Sequence, residues 1–233
     1  MTDTISTQVT ARADARTAER GLPHEGMRAA AVAGLAFVVL NVAGTLIAGA
    51  PPAANASASK IATYISDHAG ALRAELLLGG LGIAALWWWL GALWRMLSKA
   101  EGERPRLALT AAVALAIGSA LALVSAVFMA TAAVRPIDVD TAHLLFSLSL
   151  ITISAAGFGI AVFLIATCTV TARATSTPRW TAFLGYLAAA AFLVGTLGVV
   201  SDASVYPNVA TLAFFVWCVW TVVMSVLMWR AAD

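Results

Sequence analysis

Residues Leu107–Ala133 read LALTAAVALAIGSALALVSAVFMATAA, twenty-seven positions without a charge, bounded by Arg106 and, after Val134, by Arg135. At about 1.5 Å per residue a helix of that length exceeds the roughly 30 Å hydrocarbon core of a bilayer. Buried strands run only about 4–8 residues, so the stretch predicts a membrane-spanning helix. Similar runs cover 27–50, 71–97, 144–170, 181–200 and 210–229, which makes six predicted spans. Open strands cannot satisfy their backbone groups in lipid, so all six are expected to be helical. The predicted fold class is an all-α, polytopic transmembrane bundle occupying 27–230.

Composition agrees. Of 233 residues, 61% are hydrophobic and 11% charged, with a mean hydropathy of +0.88. A soluble domain carries about a quarter charged residues. The balance excludes a cytosolic globular enzyme and a free nucleic-acid-binding domain, and a net charge of +2 implies no nucleic-acid partner. Cys168 and Cys218 both lie in apolar runs, without metal-motif spacing or a disulfide framework.

The polar segment 1–26 shows no apolar periodicity and reads as a disordered cytoplasmic tail. Ala48-Gly49-Ala50 is similar to a signal-peptide cleavage site. The run before it is longer than a signal core of about 7–15 residues, so it is expected to stay as a span. Orientation follows from the cations. With the N-terminus inside, the cytoplasmic side holds Arg12, Arg16, Arg20, Arg28, Arg95, Lys99, Arg104, Arg106, Arg173, Arg179 and Arg230, against Lys60, Arg73 and Arg135 outside. That bias predicts both termini in the cytoplasm of a plasma-membrane protein. The outer side carries Asp67, Glu75, Asp138, Asp140 and Asp202.

Trp87-Trp88-Trp89 sweeps most of a helix circumference, since successive positions turn by about 100°. It reads as bulk packed against small residues of neighbouring helices, or as an aromatic wall for a flat ligand. Trp217 and Trp220, with Phe214 and Phe215, form a second aromatic cluster. Gly34, Gly82, Gly118, Gly157 and Gly159 are among the small residues that allow helices to approach.

The span centres hold no Asp, Glu, Lys, Arg or His. Ionisable groups in lipid are costly and kept for function, so ion-coupled carriers, proton pumps and voltage sensors are disfavoured. Two facing histidines for haem and a Ser–His pair for rhomboid-type proteolysis are also missing. Milder polar residues remain. Asn41 in the first span needs a partner, with a Ser or Thr across the bundle expected. His143, Ser147 and Ser154 fall near one face of the fourth span and, with Asn41, define a candidate polar path.

Reactive side chains gather only at the outer edge. Lys60–His68 places Ile61, Tyr64, Ile65 and His68 at i, i+3, i+4 and i+7, predicting a short amphipathic helix lying in the interface. Arg73 and Glu75 follow, then Asp138, Asp140 and His143. These six residues from His68 to His143 form the candidate ligand-binding rim. Local ion pairs from Arg73 or Arg135 to a loop carboxylate are its ordinary reading. Two histidines with a carboxylate, His68, His143 and Asp140, could hold zinc in a membrane hydrolase, but ceramidase-type sites need three histidines. No catalytic residue, metal site or cofactor is assigned. Asn55-Ala56-Ser57 is formally a glycosylation sequon.

Pro51-Pro52, a small-residue stretch, Ile61-x-x-Tyr64, His68, Arg73 and a leucine-glycine-tryptophan helix form one local pattern. It resembles the uncharacterised multi-pass membrane proteins common in actinobacteria, over the first three spans and beyond them only by hydropathy. That resemblance carries no activity or ligand. Three functions stay open. The first is a binding, sensing or supporting component with the bilayer, a membrane protein or a second copy as partner. The others are a small transporter or permease subunit, and the metal-dependent hydrolase.

Overall fold

The computed structural model describes residues 3–134, 137–174, 177–199 and 205–231, with side chains from residue 25 onward except those of 199, 205 and 207. The described residues form seven helices and no strand: α1 (Asp3–Ala48), α2 (Ala58–Asp67), α3 (Ala69–Glu101), α4 (Arg106–Val134), α5 (Val139–Arg173), α6 (Arg179–Thr196) and α7 (Val205–Arg230). The backbone of α1 is helical from Asp3, where sequence predicts a disordered tail over 1–26. That expectation falls mainly on residues whose side chains lie outside the description.

Five helical segments are long and apolar enough to cross a membrane: Glu25–Ala48, Ala69–Glu101, Arg106–Val134, Val139–Arg173 and Asn208–Arg230. The chain is therefore a membrane-embedded helical protein. The predicted fifth span, 181–200, falls on α6, which opens on Arg179, holds 18 residues, and passes into a 3-10 turn at Leu197–Val199. It is shorter than the others and not among those five. The remaining predicted spans match those five apolar segments to within a few residues at each end.

The six long helices close a ring in chain order, α1 against α3, α3 against α4, and so on to α7, which packs back on α1. Small residues set the spacing. A Cβ on Gly159 would lie 2.8 Å from both the Ala114 carbonyl oxygen and the Gly118 amide nitrogen, so α4 and α5 meet backbone to backbone. Gly34 holds α1 against Trp89 of α3 and Ser225 of α7. Leaving α3, Gly102 has φ 87°, a value L side chains rarely adopt, and turns the chain toward α4.

Aromatic side chains fill the ring. Phe37 and Trp217 have centroids 5.1 Å apart, Phe163 and Trp220 5.8 Å, Phe192 and Trp217 6.1 Å, and Trp89 and Trp220 6.2 Å, mostly edge to face. The Trp220 indole donates to the Thr181 carbonyl oxygen at 3.1 Å. The tryptophan triplet divides as helix geometry demands: Trp89 is fully buried, whereas Trp87 and Trp88 are 51% and 69% exposed. Large apolar side chains cover the outside, among them Val39, Leu77, Ile117, Phe158, Phe183 and Val219, as a lipid solvent requires.

A second, smaller core joins Ala48, Ile61, Ile65, Leu72, Ala132, Ala133, Ala142 and Phe146, all from α1 to α5. Between the two cores, the Ser125 hydroxyl of α4 meets both the hydroxyl and the carbonyl oxygen of Ser149 on α5 at 2.9 Å.

Candidate functional site at the α2 end

The Ser57 hydroxyl caps α2 by accepting from the Lys60 amide at 3.4 Å. Ile61 and Ile65, predicted as an apolar stripe, are both buried against Leu72, Ala132, Ala142 and Phe146. The amphipathic helix therefore packs on the bundle end. Tyr64, on the edge of that stripe, donates its hydroxyl to the Ala48 carbonyl oxygen at 3.2 Å and so ties α2 to the last turn of α1. His68 follows one turn later. Its ring stacks on Tyr64 with centroids 4.6 Å apart and planes at 26°, and its Nδ1 lies 3.0 Å from the Tyr64 carbonyl oxygen. Burial pushes the Tyr64 hydroxyl pKa above its ordinary value, and the nearby charge of Glu75 pushes it the same way.

An open cleft of about 500 Å³ lies between this helix and the end of α1, bordered by Pro51, Pro52, Lys60, Tyr64, Asp67 and His68. It offers an ammonium, a carboxylate and the edge of a stacked imidazole on a partly apolar floor. Such a mixture suits a small polar ligand carrying charge of either sign.

Two other residues of the predicted rim, Arg73 and Asp138, hold helix ends. The Arg73 guanidinium donates to the Ala133 carbonyl oxygen in the last turn of α4, a favourable place for a cation. It bonds a helix terminus, in place of the predicted loop carboxylate; Arg135, its alternative, lies outside the described residues. Asp138 is the N-cap of α5. Its carboxylate accepts from the Thr141 amide at 2.8 Å and the Thr141 hydroxyl at 2.7 Å. Those bonds, the backbone one first, hold its pKa below the usual carboxylate value. Asp140 stands in the first turn of α5, and Asp140 and His143 are both exposed. Glu75 packs against α1 at Gly44, where a Cβ would lie 3.6 Å from its Cγ. Asp202 lies outside the described residues.

No three His, Cys, Asp or Glu side chains converge among the described residues, so the donors proposed for a hydrolase, His68, Asp140 and His143, do not form a metal set. Asn41 also differs from expectation. Its amide nitrogen donates to the Phe37 carbonyl oxygen of its own helix at 3.0 Å and packs into the space left by Gly82. Glycine on α3, rather than a hydroxyl across the bundle, accommodates it. On α5 the Ser147 hydroxyl bonds back to the His143 carbonyl oxygen at 2.9 Å, and Ser154 is half-buried. The ring neighbours of α1 are α3 and α7, so Asn41 and the α5 stripe occupy separate seams.

Sequence reading missed the Ser125–Ser149 pair and a cap at the opposite end. The Glu101 carboxylate accepts from the Leu107 and Ala108 amides at 2.8 and 2.9 Å, closing the α3–α4 turn onto the α4 N-terminus. An acid six residues ahead of an apolar run is the only trace of this in the sequence.

Fold and surface together define a class, the helical membrane proteins with a closed up-and-down ring. Comparison with protein-family models, with characterised proteins and with solved structures finds no match to the chain.

Proposed function

We propose that the protein is a six-span plasma-membrane component that binds or senses a small polar ligand at its outer end, or supports a membrane complex from there. The observation that carries this reading is the contrast between a cleft edged by Lys60, Tyr64, Asp67 and His68 and a bundle interior filled with aromatic rings. The first can receive a ligand. The second is lined, among the described residues, mainly by apolar side chains, and Asn41 and Ser147 bond back to their own helices, which argues against a carrier path. The same pattern from Pro51 to Arg73 supports kinship with the uncharacterised actinobacterial proteins it resembles.

Three arguments support the topology. With its 3-10 extension α6 covers 197–199 as well, roughly 30 Å at helical rise. Its outward residues Phe183, Leu187 and Val194 are apolar and exposed. The cations cluster at the end opposite α2, which supports both termini inside and α2 at the outer surface.

A reporter fused after Asp233 distinguishes the topologies, since six spans with the N-terminus inside place it in the cytoplasm and five place it outside. Labelling of Lys60→Cys by an impermeant maleimide in intact cells, with Lys99→Cys protected, is the matching expectation. An external C-terminus would overturn the six-span reading. Flux in proteoliposomes abolished by Asn41→Leu, with the fold intact, would overturn the binding role in favour of transport.

A further inference from the structure

Trp87, Gly91 and Arg95 stand at i, i+4 and i+8 on one stripe of α3, at the end of the bundle opposite α2. Together with Trp88, and with Gly26 and Ala30 of α1, they border a cleft of about 350 Å³. Each border has a distinct chemistry. The Trp87 indole donates to the Ser119 hydroxyl at 2.9 Å, which fixes that ring against α4. Trp88 is 69% exposed, and among the described residues its indole N–H has no partner. A Cβ on Gly91 would meet nothing within 4 Å, so the stripe is open between the tryptophans and the arginine. The Arg95 guanidinium lies along α1, 3.4 Å from where a Gly26 Cβ would stand, and pairs with no carboxylate among the described residues.

The direction in which the cleft opens decides what fills it. Leu77, Leu81 and Trp88 project from α3 at i, i+4 and i+11, and all three are exposed on the apolar outside of the ring. A molecule entering from that side comes from the bilayer. From Trp88 to Arg95 the helix rises about 10 Å, so a cation at the membrane surface and an amphipathic ring deeper down are set at two depths of one lipid molecule.

We propose that this cleft binds a phospholipid with an anionic headgroup. Arg95 takes the phosphate diester, the open stripe at Gly91 admits the glycerol region, and Trp88 covers the upper acyl chain. Arginine suits the phosphate because its fork of donors matches the tetrahedral oxygens. Among the described side chains no carboxylate is paired with Arg95, so its charge is free for the headgroup, and an anionic headgroup is favoured over a zwitterionic one.

The test uses the full chain in nanodiscs of phosphatidylcholine doped with either dibrominated phosphatidylglycerol or dibrominated phosphatidylcholine, following tryptophan quenching. One cation at the surface corresponds to about a fivefold preference, so half-maximal quenching by the anionic lipid is expected at about one fifth the mole fraction. Trp88→Phe should remove most of the preferential quenching. Arg95→Gln should equalise the two lipids and Arg95→Lys should keep part of the preference, with helicity by circular dichroism unchanged in both. Arg104→Gln, in the adjoining loop, should leave the preference intact. An undiminished preference in Arg95→Gln overturns the proposal. So does its loss on adding millimolar inorganic phosphate, which would mark a soluble-anion site.

Discussion

The two ends of this bundle are held together in different ways. Toward the basic end, six helices close around Trp89, Trp217, Trp220, Phe163 and Phe192, and large rings touching edge to face fill the centre. Toward α2, the core comes from α1 to α5 alone, is built of alanines with two isoleucines, a leucine and Phe146, and is finished by side-chain bonds to helix ends. One half depends on volume and the other on caps and a docked lid. The first is expected to unfold as a unit and the second to open locally, and it is the second that has the cleft edged by Lys60, Asp67 and His68.

Substitution can break this contrast. Trp220→Ala removes a ring that touches both Trp89 and Phe163 and should cost about 3–5 kcal/mol, read as a lowered unfolding midpoint in detergent. A loss no greater than that of an ordinary surface change would show that the rings are not the centre of stability. Gly159→Ala forces a methyl into the Ala114 and Gly118 backbone and should cost about 1–3 kcal/mol by the same measurement. Gly91→Ala, facing open space inside α3, carries the same change in helix propensity without the clash, and as the control should not lower the midpoint.

Smaller effects sharpen the comparison. Glu101→Ala leaves the Leu107 and Ala108 amides without their carboxylate and should cost about 1 kcal/mol. Ile65→Asp should abolish hydrogen-exchange protection across 58–67 while the global midpoint moves little. A collapse of the whole bundle would instead make α2 part of the main core. The least effect is expected for Asp138. Because its folded-state pKa lies below the ordinary value, the stabilisation by its carboxylate is fully present above that value, near 4, and disappears as pH falls through the folded pKa. The midpoint difference between the wild type and Asp138→Ala should therefore be constant around neutrality and shrink only in acid. A difference that changes between pH 6 and 8 would contradict that assignment.

Much of the fold is legible from individual residues. The uncharged run Leu107–Ala133 identifies α4, and the spacing of Ile61 and Ile65 identifies both α2 and its buried face. Trp87-Trp88-Trp89 already implies that one ring faces differently from its neighbours. The candidate site is less legible. His68, Arg73, Glu75 and Asp138 stand near one end, because chain topology places them there. Their tasks are not readable, because a helix carbonyl and a loop carboxylate are equally good partners for arginine until geometry selects one. Asn41 shows the same limit from the opposite side, since glycine at position 82 gives no sign in the sequence of which α1 residue it will admit.

The sequence by itself therefore determines the solvent of this protein, its helical class and the approximate length of most of its helices, though not of α1. Hydropathy and backbone hydrogen bonding act along the chain and need no knowledge of neighbours. Only the tertiary structure decides that α7 closes the ring on α1, that Trp89 enters the core while Trp88 faces outward, and that Arg73 and Asp138 of the polar rim cap helices. Those outcomes depend on which surfaces meet, and contacts between residues far apart in the chain leave no period or spacing to read.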